Sequence, residues 1–394
     1  MHEKIRVLHC PNLVGGNPQQ LARTERELEL DSWAVAFSQN YFSYPCDEIL
    51  WGDDDSIPTR EIKRWKLLYR ALKDFDVIHC NFGMSIMPSS INSRPGPNSR
   101  LRGTLRKFYR AYSNIFSLKD LPLLKRAGKG IFVTYQGDDA RQGDFCRSNF
   151  DIHFANEVEP GYYSAESDAR KRRDIAVFNR YADKIYALNP DLLHVLPGRA
   201  QFMPYAHIDL REWQPATCAS TSKTRPVVIH APSHQGVKGT RYVLEAVSRL
   251  KAEGVEFDFI LVEKLSHTEA RCIYEKADLV VDQLLSGWYG GLSVEMMALS
   301  KPTICYIREG DLKFIDKEMR EELPIINADP FNIFEVLREW LTVRRHQLSD
   351  IGHKGRLFVE KWHNPAKIAE KLKRDYIAAL GSRPCVANID KRIS

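Results

Sequence analysis

Short apolar runs alternate with helical patterns along almost the whole chain, and the alternation stops once and then restarts. The first run, Ile5-Arg6-Val7-Leu8-His9-Cys10, passes into Pro11-Asn12-Leu13-Val14-Gly15-Gly16 and a helical pattern through Leu21, Glu25 and Leu28. Runs at 33–37, 76–80, 130–135 and 183–188 follow, with helical stretches at 61–73 and 167–182 among them. Strands separated by helices are too far apart in sequence for hairpins and favour a parallel sheet with right-handed crossovers. Residues 210–226 are polar, small and proline-bearing, the composition of a linker. The rhythm resumes with a strand at 227–231, a helix over 239–252 and a strand at 257–262. It continues with a helix at 268–276, a strand at 278–282, a glycine-rich loop, a helix at 294–299 and a strand at 303–307, and closes with a strand at 321–326 and helices to Leu380. The expected fold class is α/β, with two Rossmann-like domains facing a central cleft. Residues 1–208 form the first domain, 209–226 the linker and 227–365 the second domain, and 366–394 supply a C-terminal helix, able to pack back on the first domain, and a tail.

Composition narrows the setting. The chain has 394 residues, 43% of them hydrophobic, and a net charge of only +6, which excludes disorder as the main description. No apolar run approaches the ~20 residues of a membrane helix, and charges interrupt the N-terminus where an export signal needs an apolar core. Eight cysteines occur without a CxxC pair, which fits free thiols in a reducing compartment better than zinc or disulfides. The expected location is cytoplasmic.

Two segments of the second half carry chemistry. In the first, the strand Asp278–Asp282 leads into Gly287-Trp288-Tyr289-Gly290-Gly291-Leu292-Ser293-Val294-Glu295-Met296-Met297-Ala298. Glycines allow close backbone approach, Ser293 is the expected N-cap, and the helix start would present amides to a diphosphate. Glu295, in the first turn, can accept hydrogen bonds from a ribose diol, although by itself the segment reads equally well as a glycine-rich turn with a helix-start charge. In the second, His230-Ala231-Pro232-Ser233-His234-Gln235-Gly236-Val237-Lys238-Gly239 sets a lysine beside a strand end, placed to neutralise a departing phosphate.

Together these segments resemble the retaining glycosyltransferases of family 4 (glycosyl transferases group 1), which have the GT-B fold. Lys238-Gly239, Gly287-Trp288-Tyr289-Gly290, Glu295-Met296-Met297-Ala298 and Ser300-Lys301-Pro302 carry the resemblance. Gly15-Gly16, Asp76-Val77-Ile78-His79, Thr134-Tyr135-Gln136-Gly137-Asp138-Asp139 and the stretch 204–209 agree more loosely. The resemblance implies a sugar transferred from a nucleotide-diphosphate sugar to a glycan, lipid-linked or small-molecule acceptor, as in polysaccharide biosynthesis, with retention and with neither metal nor other cofactor. It gives Lys238 the diphosphate and Glu295 the ribose. The amides around Gly290, Gly291 and Leu292 take phosphate or sugar hydroxyls, and Gly15 and Gly16 allow close approach from the first domain. Gln136, with Asp138 or Asp139 behind it, faces the donor sugar or acceptor.

Three positions depart from the pattern. Gly287 replaces the first glutamate of the paired-glutamate motif, and Gln136 replaces a histidine. The arginine expected before Lys238 is missing, and His234 is the donor-binding candidate to take part of its place. Two other readings stay open. One is a nucleotide-sugar epimerase of GT-B fold, with Asp138, Asp139 and His207 as candidate groups, and the other is a non-catalytic sugar-binding scaffold. Asp53-Asp54-Asp55 precedes Ser56 and Pro58 and reads as a helix start rather than a metal site.

One basic stretch stands apart. Between Arg94 and Lys129 the only acidic residue is Asp120, while Leu101, Leu105, Phe108 and Tyr112 share a helical face. The segment 100–112 is therefore either a solvated helix packed on the first domain or a peripheral contact with the inner face of a membrane. It is too short, and too far from any recognised module, for nucleic acid.

Overall fold

The computed structural model describes residues 4–39, 44–89, 100–215 and 225–381, and for 100–106 the backbone alone. Arg94, Cys218, Cys385, residues 216–224 of the expected linker and the chain end beyond Gly381 lie outside the described residues, as do the side chains of Leu101 and Leu105.

The expected two parallel sheets are present. The first contains β1 (Arg6–Cys10), β2 (Asp31–Ala36), β3 (Glu48–Ile49), β4 (Val77–Asn81), β5 (Gly130–Tyr135), β6 (Lys184–Ala187) and β7 (Gln201–Phe202), in the order β3-β2-β1-β4-β5-β6-β7. The second contains β8 (Val227–His230), β9 (Asp258–Leu261), β10 (Leu279–Val281), β11 (Thr303–Cys305) and β12 (Ile325–Asn327), in the order β12-β11-β10-β8-β9. The two-residue edge strands β3 and β7 are too short to leave a periodicity in the sequence. Each order reverses once, between β1 and β4 and between β10 and β8. Ligand crevices of open α/β sheets form at such points, outside the strand C-termini.

Both faces of each sheet are covered, which is why the strands read as continuous apolar runs. Ile78, Val133 and Ile185 fill one face of the first sheet, and Val228, Val281 and Ile304 one face of the second. A third apolar cluster runs from Phe132 and Tyr186 through Met203 and Tyr205 to Trp288 and Tyr289, joining the domains. Ser56 caps the helix Ile57–Asp74 by accepting from the Thr59 amide, while Asp55 holds the Gly52 amide and Lys63. Asp55, the last of the acidic triplet, thus orders the turn before the cap. No helix among the described residues is long and apolar enough to cross a membrane.

The helix Pro365–Gly381 lies on the first domain through a fully buried polar network. The Tyr376 hydroxyl donates to Glu25 at 3.0 Å and stands 2.7 Å from His79 Nδ1. Its single hydrogen is spent on Glu25, so His79 Nδ1 must donate to it, and Nε2 then accepts from Thr134. Burial, reinforced by neighbouring His9, holds His79 well below the usual histidine range and so neutral. Tyr376→Phe should leave Glu25 and His79 each one partner short, at a cost of about 1–3 kcal/mol. A lowered urea midpoint at pH 7 would show it, and an unchanged one would deny the network that role.

Candidate active site

The end of β10 organises the site. Asp282, the next residue, is almost wholly buried, and its Oδ1 accepts from Lys238 Nζ at 2.7 Å. Its Oδ2 accepts from the Gly290 amide at 2.9 Å and the Ser293 hydroxyl at 2.6 Å. Burial alone would raise this carboxyl, but the Lys238 charge and these donors hold it below the usual carboxylate value. Lys238 closes the short helical turn Gln235–Lys238 after β8 and also donates to Gln283 Oε1 at 2.8 Å. An ammonium has three donors, so one is left for a ligand oxygen.

The helix of the glycine segment spans Gly291–Ala298. Gly290, not Ser293, is its N-cap, because the Ser293 hydroxyl is committed to Asp282. The Gly290 amide is likewise spent internally, so ligand contacts fall to the next amides, Gly291 and Leu292, which precede the first intrahelical bonds. A Cβ on Gly290 would sit 3.1 Å from Lys238 Nζ, so glycine here lets the ammonium reach the helix start. Behind the helix, a Cβ on Gly352 would fall 2.0 Å from the Ser300 carbonyl, and Arg356 donates to the Ala298 carbonyl at 2.9 Å.

Glu295 is buried in the same helix and accepts from His267 Nε2 at 2.8 Å. His207 Nε2 stands 3.5 Å away, an ion-pair distance rather than a hydrogen bond. Burial would raise Glu295, yet the two imidazoles bring it down to about 2. His267 is raised in turn: burial lowers it, and Glu295 more than reverses that.

Across the cleft the first domain contributes Gly15, Gly16 and Gln136. Both glycines are left-handed, at φ of 65° and 70°. A Cβ on Gly15 would sit 3.7 Å from Gln136 Oε1, and one on Gly16 3.6 Å from His207 Cβ. Gln136 Nε2 is buried without a hydrogen bond. Asp139 braces this loop from behind by accepting the Gln136 and Gly137 amides, and burial lifts it to about 6.

Lys238, Gly290, Gly291, Leu292, Glu295, Gly15, Gly16 and Gln136 thus share one cleft, whereas Asp138 and His234 are bonded to other partners. Both Asp138 oxygens accept tyrosine hydroxyls, from Tyr162 at 2.5 Å and from Tyr163. His234 Nδ1 caps the 235–238 turn through the Val237 amide, and its Nε2 lies 3.3 Å from Glu159. These contacts tie the Gln136 loop to Tyr162 and Tyr163 and the 235–238 turn to Glu159.

Four contributors escaped the sequence reading of this site: Asp282, His267, Asn17 and the placement of His207. The His207 side chain is only 3% exposed, and neither ring nitrogen makes a hydrogen bond. Its Nε2 is 3.4 Å from where a Cβ on Gly291 would lie, so it fills the space between the two glycine loops. Asn17 fixes it by accepting the Ala206 amide at 2.7 Å. A cavity of about 850 Å³ between Trp340 and Phe358, on the second domain, involves none of these residues.

Known structures share this architecture. The sucrose-phosphate synthase of Thermosynechococcus elongatus is similar over 97% of this chain and all of its own, with TM-score 0.58 and 14% identity. A glycosyltransferase from Rickettsia africae gives 0.57 and 12% over 97% of this chain and all of its own. A UDP-N-acetylglucosamine 2-epimerase, so described from Listeria monocytogenes, gives 0.51 and 11% over 97% and 98%. The fold is GT-B. No family model and no curated protein sequence matches the chain.

The Glu295 site sets a pH dependence. Its depressed carboxyl contributes stability that is complete above the ordinary 4.5 and is lost as pH falls toward about 2. His267, raised in the fold, contributes below its ordinary 6.5 and loses that share as pH rises. The deficit of Glu295→Gln against the unmodified protein should therefore be widest between 4.5 and 6.5 and shrink toward acid. Melting curves of both proteins from neutral to acidic pH check this, and a deficit independent of pH would contradict it.

Proposed function

We propose that the protein is a glycosyltransferase that moves a sugar from a nucleotide-diphosphate sugar to an acceptor hydroxyl. The observation that carries this reading is the buried Lys238 ammonium, fixed by Asp282 and Gln283 at the start of the helix Gly291–Ala298. Breaking an anomeric bond places charge on the leaving diphosphate, and a pre-oriented ammonium with helix-start amides stabilises that charge without reorganising. Because Asp282 neutralises Lys238 in the resting site, the cluster offers aimed donors rather than a net positive field. Glu295, already ionised and bonded to His267, accepts the ribose hydroxyls. Gln136 offers its unbonded side-chain amide to the donor sugar or acceptor from the first domain. The GT-B fold, shared with a glycosyltransferase, a sucrose-phosphate synthase and a UDP-N-acetylglucosamine 2-epimerase, supports the reading. Retention of configuration and independence of metals belong to the same proposal.

A nucleotide-sugar epimerase is the second reading, favoured by one observation: the buried imidazole of His207 beside Glu295 and Gly291. Release of the epimeric sugar in the absence of any acceptor would establish it.

Calorimetric titration with UDP, GDP, ADP and dTDP tests the first reading. One diphosphate should bind selectively to the unmodified protein and more weakly to Lys238→Ala, and failure of all four to bind would overturn the assignment. With the matching donor, Lys238→Ala should lower turnover by roughly 10²–10³-fold. Activity should survive EDTA, and a strict metal requirement would refute the metal-independent mechanism.

A further inference from the structure

The outer face of the first domain has no part in the cleft, yet it is unusually apolar. The helix Ile57–Asp74 exposes Ile62, Trp65 and Tyr69, which are 57%, 42% and 63% accessible and follow i, i+3, i+7 spacing. The helix Arg100–Phe116 exposes Phe108 and Ile115, 69% and 61% accessible, with the small Ala111 between them. The two stripes adjoin. Trp65 Nε1 donates to the Tyr112 hydroxyl at 2.9 Å, its ring meets Phe116 edge-on at 5.5 Å, and Glu61 accepts both Tyr109 and Tyr112. Five large apolar side chains on one continuous face exceed the scattered exposure ordinary on a soluble surface.

Lysines dominate the charges on this face. Lys66, Lys73 and Lys107 are exposed along it, whereas Arg110 lies 4.0 Å from Glu166 of the helix Ala165–Tyr181. The one acid between Arg94 and Lys129, Asp120, is buried, where it accepts from Ser85 and from the Ile86 and Met87 amides. Glu61 is turned inward to Arg64 and the two tyrosines. The exposed acids Asp53 and Asp54 precede the start of the first helix, and Glu166 stands beside Arg110 at the edge of the face.

We infer that these two helices form a docking face for an anionic lipid bilayer. Flanking cations complement acidic headgroups, and the aliphatic side chains enter the acyl boundary. Trp65 and Tyr69 have the apolar body and polar tip that favour the interface. A second copy of the chain fits worse, because a two-fold contact would set Lys66 and Lys107 against their own equivalents. The inference goes beyond the proposed transfer reaction and does not depend on it, since its test contains no nucleotide.

The test is co-sedimentation of the full chain with vesicles of phosphatidylcholine alone and of phosphatidylcholine with phosphatidylglycerol. Binding is expected only to the anionic vesicles and should weaken with added salt. Ile62→Glu with Tyr69→Glu, and separately Lys66→Glu with Lys107→Glu, should each lower vesicle affinity about tenfold or more. All four positions are exposed, so the melting temperature should hold. Three outcomes overturn the inference: no binding to anionic vesicles, binding unaffected by either pair, or a concentration-dependent dimer that both pairs dissolve.

Discussion

Asp282 is the constraint on which the geometry of the cleft rests. A carboxylate taken out of water at a strand end is costly unless every oxygen lone pair finds a donor. Here one oxygen receives Lys238 and the other receives Gly290 and Ser293. Satisfying that single group fixes three things: the reach of the lysine, the path of the glycine turn and the start of the helix Gly291–Ala298. Lys238 and Gly290 come from segments following β8 and β10, which are neighbours in the sheet. Removing either partner would strand a buried charge, so the ion pair specifies an arrangement more than it adds stability.

The second domain alone does not make the cleft. Residues 203–209 return from the first domain to the linker, and Asn17 holds this return by the Ala206 amide. His207 then comes to lie between Gly16, Gly291 and Glu295. A parallel chain of hydrogen bonds runs from the Gln136 carbonyl through Asn189 to the Tyr205 hydroxyl. It continues from the Tyr205 carbonyl through His363 to the Tyr289 hydroxyl. Burial lowers His363 to about 3, so it joins this chain as a neutral imidazole. The loop that carries Gln136 and the glycine turn are therefore tied through buried groups, and a shift of one is felt by the other.

What could be read from the sequence follows from distance along the chain. The parallel strands show because both sheet faces are buried and each strand is an unbroken apolar run. Lys238, Glu295 and the glycines show because each lies in one local strand–turn–helix unit. His267 and Glu295 pair across 28 positions and Lys238 and Asp282 across 44, with no local pattern to betray either contact. The Ser293 expectation failed for the same reason: the rule for N-caps is local, and the hydroxyl was claimed by a residue from the preceding strand. Asp138 and His234 flank the glycine-bearing loops, but no local pattern shows what they bond to. Their partners, Tyr162, Tyr163 and Glu159, sit on a segment whose position no spacing rule gives.

Gly287, where the resemblance leads us to expect a glutamate, has a structural reason to be glycine. Its φ of 76° favours glycine, and a Cβ there would approach Arg308 Nη1 to 2.5 Å. Arg308 pairs with Asp311 at 2.8 Å, stacks on Phe150 at 3.7 Å and donates to the Ile152 carbonyl at 2.9 Å. Phe150 and Ile152 belong to the first domain, and Asp311 is also bonded to His194 of that domain at 2.8 Å. The guanidinium therefore occupies the space next to residue 287 as a clamp between domains. A glutamate at 287 would need both another backbone conformation and the removal of that clamp. Glycine at 287 and the Arg308 contact are therefore coupled: the one makes room for the other.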